Sequence, residues 1–180
     1  MKYLKLDSGR AELVNNEYSF RNMIEEVVSD AARKYAYEKH KLVPVFLPME
    51  YPRDVEIGKT IAQSLSIPSY VSTHQHSIEE LRGMLANADL VVGMRLHSLI
   101  FAASAGSPIL GISYDVKVDS FIKDSGAKRS IALDELTSEK LIENIDLALS
   151  DGRAMGLETK KRLQTMERQN AEIARKLIGE

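Results

Sequence analysis

Residues 89 to 113 impose the tightest constraint on the fold. Two short apolar runs, Asp89 to Gly93 and Pro108 to Ser113, flank a segment of small and apolar residues, Ser98 to Ala105, that ends in Gly106 and Pro108. The apolar runs read as buried strands and the middle segment as a helix stopped by its glycine and proline. A strand, a helix and a second strand in that order make a parallel pair joined by a right-handed crossover. The first strand leads directly into Arg95 and His97. In an open parallel sheet this junction lies at the carboxyl edge, where ligands bind, and the free N–H groups of a helix start favour anions. The local pattern describes a site for a small acid.

The rest of the chain repeats the alternation. Tyr3 to Leu6 reads as a strand, and Phe20 to Lys39 as a helix with Met23, Ile24, Val27, Val28, Ala31 and Tyr35 on its apolar side. Leu42 to Leu47 is a strand pushed toward an end or edge position by Pro44, and Asp54 is placed to cap a helix reaching about Leu65. Pro68 to Ser72 is another strand. Ser77 and Glu80 form a capping box opening a helix from Ile78 to Ala88, with Ile78, Leu81, Met84, Leu85 and Ala88 as its buried stripe. Val116 to Lys123 is helical, Ser130 to Leu133 a strand, and Thr137 to Leu147 a helix capped by Thr137 or Ser138. A long final helix, residues 154 to 178, places Leu163, Met166, Ile173 and Leu177 on one side. The expected architecture is α/β: a Rossmann-like parallel sheet with helices on both faces.

At 180 residues, 44% hydrophobic and 28% charged, the chain suits one globular domain with a substantial core. A formal charge of −2 gives no electrostatic footprint for nucleic acid. The absence of cysteine excludes disulfides and thiolate metal sites, and no apolar run approaches the ~20 residues needed to span a bilayer. With no signal peptide in view, a cytoplasmic location is expected, with an allowance for a peripheral place at the inner face of the membrane.

Arg95 is the leading anion-binding candidate, because a guanidinium stays charged and grips a carboxylate or phosphate through two parallel hydrogen bonds. A structural salt bridge is the plainer alternative. His97 is either a capping or packing residue or a proton donor beside a bound anion. Ser98 is first a helix cap and second a ligand contact. Tyr114, Asp115 and Lys117 follow the next strand and emerge on the same edge, where Lys117 can neutralise phosphate and Asp115 can accept a hydroxyl proton; a solvated loop ion pair explains those two equally simply. Glu50 and Arg53 follow another strand end and are candidates for the same cleft. His74, His76 and His97 form a conceivable zinc set, but nothing in their spacing fixes that geometry, and no metal site is expected.

Taken together, Gly93-Met94-Arg95-Leu96-His97-Ser98, the stop Gly106-Ser107-Pro108, and Ile112-Ser113-Tyr114-Asp115-Val116-Lys117-Val118 resemble the polysaccharide pyruvyltransferase family, most of all its CsaB-like cell-wall enzymes. Weaker similarity runs back through Val45-Phe46-Leu47-Pro48-Met49 and Asp54, so most of residues 40 to 125 is covered. The resemblance implies transfer of a pyruvyl group from phosphoenolpyruvate to two hydroxyls of a sugar in a cell-wall or extracellular polysaccharide precursor, forming a cyclic ketal. It implies no cofactor beyond that donor substrate. Arg95, Ser98, Tyr114 and Lys117 would bind the donor, His97 would act as acid or hold the phosphate, and Asp115 would act as base.

The family resembles two-domain GT-B glycosyltransferases, and this chain resembles the C-terminal, donor-binding half. The expectation is a single donor-binding domain over 1–180, with the acceptor-binding N-terminal domain a missing partner and the acceptor sugar free or lipid-linked. Two other functions compete. A GT-B glycosyltransferase would hold a nucleotide sugar at the same edge, but its donor domain usually resembles a glycine-rich turn followed by a helix bearing a ribose-binding glutamate, and here Phe101-Ala102-Ala103 offers no carboxylate. A noncatalytic anion-binding domain would keep the pocket and perform no reaction.

Overall fold

A computed structural model describes residues 26–32 and 37–178. The expected strand at Tyr3 to Leu6 lies outside the described residues, as do residues 20–25 and 33–36 of the expected Phe20 to Lys39 helix; residues 38–40 form a turn. The chain divides into two compact units, Met1–Gln75 with Asp134–Ile142, and His76–Leu133 with Glu143–Glu180. Both contain parallel strands and helices, an α/β organisation compatible with the Rossmann-like class.

In the first unit, β1 (Val45–Phe46) pairs in parallel with β2 (Tyr70–Val71), and α1 (Arg53–Ser64) lies between them in sequence. Both strands are shorter than their apolar runs because Pro44 and Pro68 lack the N–H a ladder needs. Val27, Ala31, Val55, Ile61 and Leu65 are buried in this unit. Ala32, Ile61 and Leu65 form a cluster against which Val28, Phe46, Ile57 and Ile67 pack. Asp54 does not cap α1 as expected: Pro52 holds the N-cap position without a side-chain bond. The Asp54 carboxylate instead accepts from the backbone N–H groups of Met49 (3.0 Å) and Glu50 (2.8 Å), tying down the loop after β1.

The second unit carries α2 (Ile78–Ala86), β3 (Val91–Gly93), α3 (Leu96–Ala105), β4 (Ile109–Ser113), α4 (Val116–Ser125) and β5 (Ser130–Ala132), with strands in the parallel order β3-β4-β5. The Ser77–Glu80 capping box is present in full. Leu81 and Leu85 are buried on α2, whereas Ile78, expected in the same stripe, is exposed. All five residues of β4 are buried, and alternate strand residues point to opposite faces, so both faces of β4 are covered. Leu99, Ala102 and Ala103 on α3 complete this core with Leu110, Val118 and Ile122.

The last element, α5 (Ser138–Ile178), comprises the two helices expected there, separated at Gly152, whose backbone (φ 62°, ψ −165°) is not helical. Thr137 Oγ1 accepts from Lys140 N–H and caps its start. In the second unit, α5 is seated by close backbone contact and by polar clamps. Gly156 lies so near the Gly106–Pro108 turn that a Cβ there would come within 2.4 Å of the Gly106 carbonyl oxygen. The Arg153 guanidinium donates to the carbonyls of Ala86 and Ala88 at the end of α2, and Arg129 grips Asp151 through Nε and Nη2 at 3.2 and 2.9 Å.

Candidate functional site

Two parallel strands of the second unit deliver the candidate residues to one edge. Gly93 pairs with Gly111, so β4 runs two residues past the end of β3, to Ser113. Met94 and Arg95 follow β3 and lead into α3; Tyr114 and Asp115 follow β4 and lead into α4. Arg95, His97, Ser98, Tyr114, Asp115 and Lys117 therefore all belong to the carboxyl edge of adjacent strands, as their sequence positions imply.

The first of these turns is tight. Arg95, in extended conformation (φ −83°, ψ 129°), holds the N-cap position of α3, so Ser98 is not the cap but stands within the first helical turn. Ser98 is buried, and its hydroxyl donates back to the Arg95 carbonyl at 2.6 Å while its N–H donates to the same oxygen at 3.0 Å. This packing requires Gly93, where a Cβ would lie 2.5 Å from Ser98 Oγ and 2.9 Å from Leu99 Cδ2. The Ser98 side chain thus shapes the turn that presents Arg95 and His97. His97 is exposed, and its ring centroid lies 6.2 Å from that of Phe101 one turn on, at 45°. The i+4 spacing of Phe101 from His97 is the sequence signal for this ring contact.

The second turn is built differently. Asp115 is the N-cap of α4, and its Oδ1 accepts from Lys117 N–H at 2.9 Å. Asp115 and Lys117 are exposed, and Tyr114 is half-buried. The two helix starts therefore differ in electrostatics. The α4 start is covered by its own carboxylate and has Asp119 in its first turn, whereas α3 has neither a side-chain cap nor an acidic residue there, and Arg95 and His97 add to its positive end. Of the two, α3 is the one disposed to seat an anion.

The remaining candidates belong to other segments of the chain. Glu50 and Arg53 lie in the first unit, on the loop fixed by Asp54 and at the start of α1. His74 is exposed in that unit. In the second unit, His76 Nδ1 stands 3.8 Å from Glu80 Oε2. The Ser77 backbone N–H and hydroxyl hold the Glu80 carboxyl below its ordinary value of 4.5, and His76 adds to this by charge. Among the described residues no group of three or more His, Cys, Asp or Glu side chains is disposed to hold a metal ion. Among the same residues no helix is long and apolar enough to cross a membrane.

No curated protein matches the chain. A family model does: that of polysaccharide pyruvyl transferase aligns with residues 13–116. The match reaches further toward the N-terminus than the residues that suggested the family, and it ends one residue short of Lys117. It spans both strand-to-helix turns of the edge, Arg95 and His97 on one, Tyr114 and Asp115 on the other. A match over more than half of the sequence, covering these turns, makes the chain a member of the polysaccharide pyruvyl transferase family.

Proposed function

We propose that this chain binds phosphoenolpyruvate as the donor domain of an enzyme that builds a cyclic pyruvate ketal on a sugar of a cell-wall or extracellular polysaccharide precursor. In this reading the domain is the C-terminal half of a GT-B-like enzyme acting in the cytoplasm, with the acceptor surface supplied by a partner domain. The observation that carries the proposal is the start of α3, an uncapped helix N-terminus flanked by Arg95 and His97 inside the family-matched segment.

Arg95 takes the donor carboxylate through two hydrogen bonds, and the first-turn N–H groups of α3, with Lys117, take the phosphate. Tyr114 borders the same edge. Ser98 contributes by holding the turn. His97 gives a proton to the methylene carbon, which leaves an electrophilic C2. One sugar hydroxyl adds to C2 and loses its proton to Asp115, whose Oδ1 already accepts from Lys117 N–H and whose Oδ2 takes the proton. Inorganic phosphate leaves with the C2–O bond electrons and takes up the proton held by Asp115, and the second hydroxyl adds to C2 to close the ring, returning its proton to His97. The overall exchange is phosphoenolpyruvate plus a diol for a ketal plus phosphate. Phe101, Ala102 and Ala103 sit on α3 with no carboxylate among them, which disfavours a ribose-gripping role and hence a nucleotide-sugar donor.

Calorimetric titration tests the donor assignment. Phosphoenolpyruvate should bind in preference to nucleotide sugars, and Arg95→Gln should weaken it about ten- to hundred-fold, the range of a charge-assisted pair. Phosphate release with a sugar acceptor and the partner domain then tests the chemistry: His97→Ala should slow turnover by about 10²–10⁴. Asp115→Asn, which keeps the helix cap, should lose turnover without losing donor affinity. Unchanged donor binding in Arg95→Gln, or tighter binding of a nucleotide sugar, would overturn the reading.

A further inference from the structure

His97 occupies an unusual place for a group that must hold a fixed orientation. It follows Arg95 at the N-cap and Leu96 at the first helical position of α3. Helical side chains lean toward the N-terminus, so the imidazole leans past the helix end, over the seat of the anion. Deeper in a helix the preceding turn closes one of the three χ1 wells; at this position no turn precedes, and the backbone leaves all three open. Polar contacts do not fix it either. Among the described residues the exposed imidazole has no side-chain hydrogen bond and no ion pair. Its one ring contact among them is Phe101, at 6.2 Å and 45°, a favourable geometry for a tilted aromatic pair. Phe101 is anchored where His97 is not. It is half-buried beside the buried Ala102 and Ala103, and by the same helical lean it reaches back one turn.

We propose that Phe101 is a positioning residue, whose ring holds the His97 imidazole in a single rotamer at the start of α3 and thereby sets the rate of proton delivery to the donor. The proposal rests on the proton-donor role given to His97 above. Donor affinity there belongs to Arg95, Lys117 and the helix N–H groups, so a loosened His97 leaves it unchanged. Proton transfer needs the imidazole within reach of the methylene carbon, so the same loosening slows that step. A phenylalanine that merely filled space on α3 would give way to leucine with no effect on His97.

Phe101→Leu keeps an apolar side chain at the half-buried position and removes the ring, whereas Phe101→Tyr keeps the ring. In the full chain, with neither donor nor acceptor present, three-bond couplings and ring-to-ring nuclear Overhauser effects should show one χ1 rotamer for His97. Phe101→Tyr should preserve that rotamer and Phe101→Leu should average it over several wells. In phosphate release with the partner domain, Phe101→Leu should lower kcat about two- to ten-fold, the range an aromatic pair supports, with donor KM unchanged, and Phe101→Tyr should restore most of the loss. In the His97→Ala background Phe101→Leu should slow turnover no further. A His97 ring averaged over rotamers in the parent chain, or an equal loss from Phe101→Leu with and without His97, would overturn the proposal. Parental turnover in His97→Ala would instead refute the proton-donor reading and with it this use of the ring; the rotamer measurement, which needs no reaction, tells the two failures apart.

Discussion

Replacing Gly156 by alanine adds a single methyl group, and the structure fixes where it must go. An ideal Cβ would sit 2.4 Å from the Gly106 carbonyl oxygen, 2.6 Å from the Ser107 carbonyl carbon and 2.8 Å from the Pro108 nitrogen. All three are backbone atoms of a turn between α3 and β4, so no side chain can rotate aside; α5 itself must retreat by most of an ångström. Overpacking of this kind costs about 3 kcal/mol, and the better helix propensity of alanine returns about 1, leaving a loss near 2 kcal/mol. For a chain of this size that lowers the melting temperature by about 4–8 °C. Gly83 supplies the control. It is an exposed position inside α2 with nothing within 4 Å of its would-be Cβ, so Gly83→Ala should stabilise by up to about 1 kcal/mol. Urea titration of both variants followed by circular dichroism gives the comparison. If Gly156→Ala proved neutral, or stabilised as Gly83→Ala does, the close seating of α5 on the Gly106–Pro108 turn would be wrong.

Two further substitutions probe single contacts. Glu80→Gln should destabilise the chain at neutral pH: a carboxyl held below 4.5 by Ser77 contributes stability above that value and loses it as pH falls through its folded-state value, so the gap between variant and parent should close under acid conditions in pH-dependent melts. Asp54→Ala leaves the Met49 and Glu50 N–H groups without their carboxylate acceptor and should cost about 2 kcal/mol of stability, read as a lower urea midpoint.

Local signals were legible in the sequence wherever one side chain decided the matter. Ser77 and Glu80 are spaced for a capping box and form one; Gly106 stops α3 in the left-handed conformation, with φ 93°. The two strand-to-helix turns of the edge were legible for the same reason, since apolar runs ending at Gly93 and Ser113 leave little freedom in where the next residues emerge. Other features depend on competition between partners. Asp54 sits at a helix start and yet bonds backward to the loop, because two adjacent N–H groups of that loop converge on its carboxylate. Ser98 looks like a cap, but the close approach permitted by Gly93 draws it into the first turn and leaves the cap to Arg95. The break at Gly152 was legible as well: its non-helical backbone (φ 62°, ψ −165°) divides α5 between the helices expected to end near Leu147 and to begin near Ala154.

The burial of β4 has a kinetic consequence. Its amides lie between two ladders, to β3 and β5, beneath side chains covered on both faces, so they should exchange with solvent only when the unit unfolds as a whole. The starts of α3 and α4, at the same edge, have only local turn and cap hydrogen bonds and should exchange through small local openings. An anion settling at this edge would slow the exchange of the α3 start, where there is protection to gain, and leave β4 unchanged. Occupancy of the site would therefore be read in the rim while its floor stays silent.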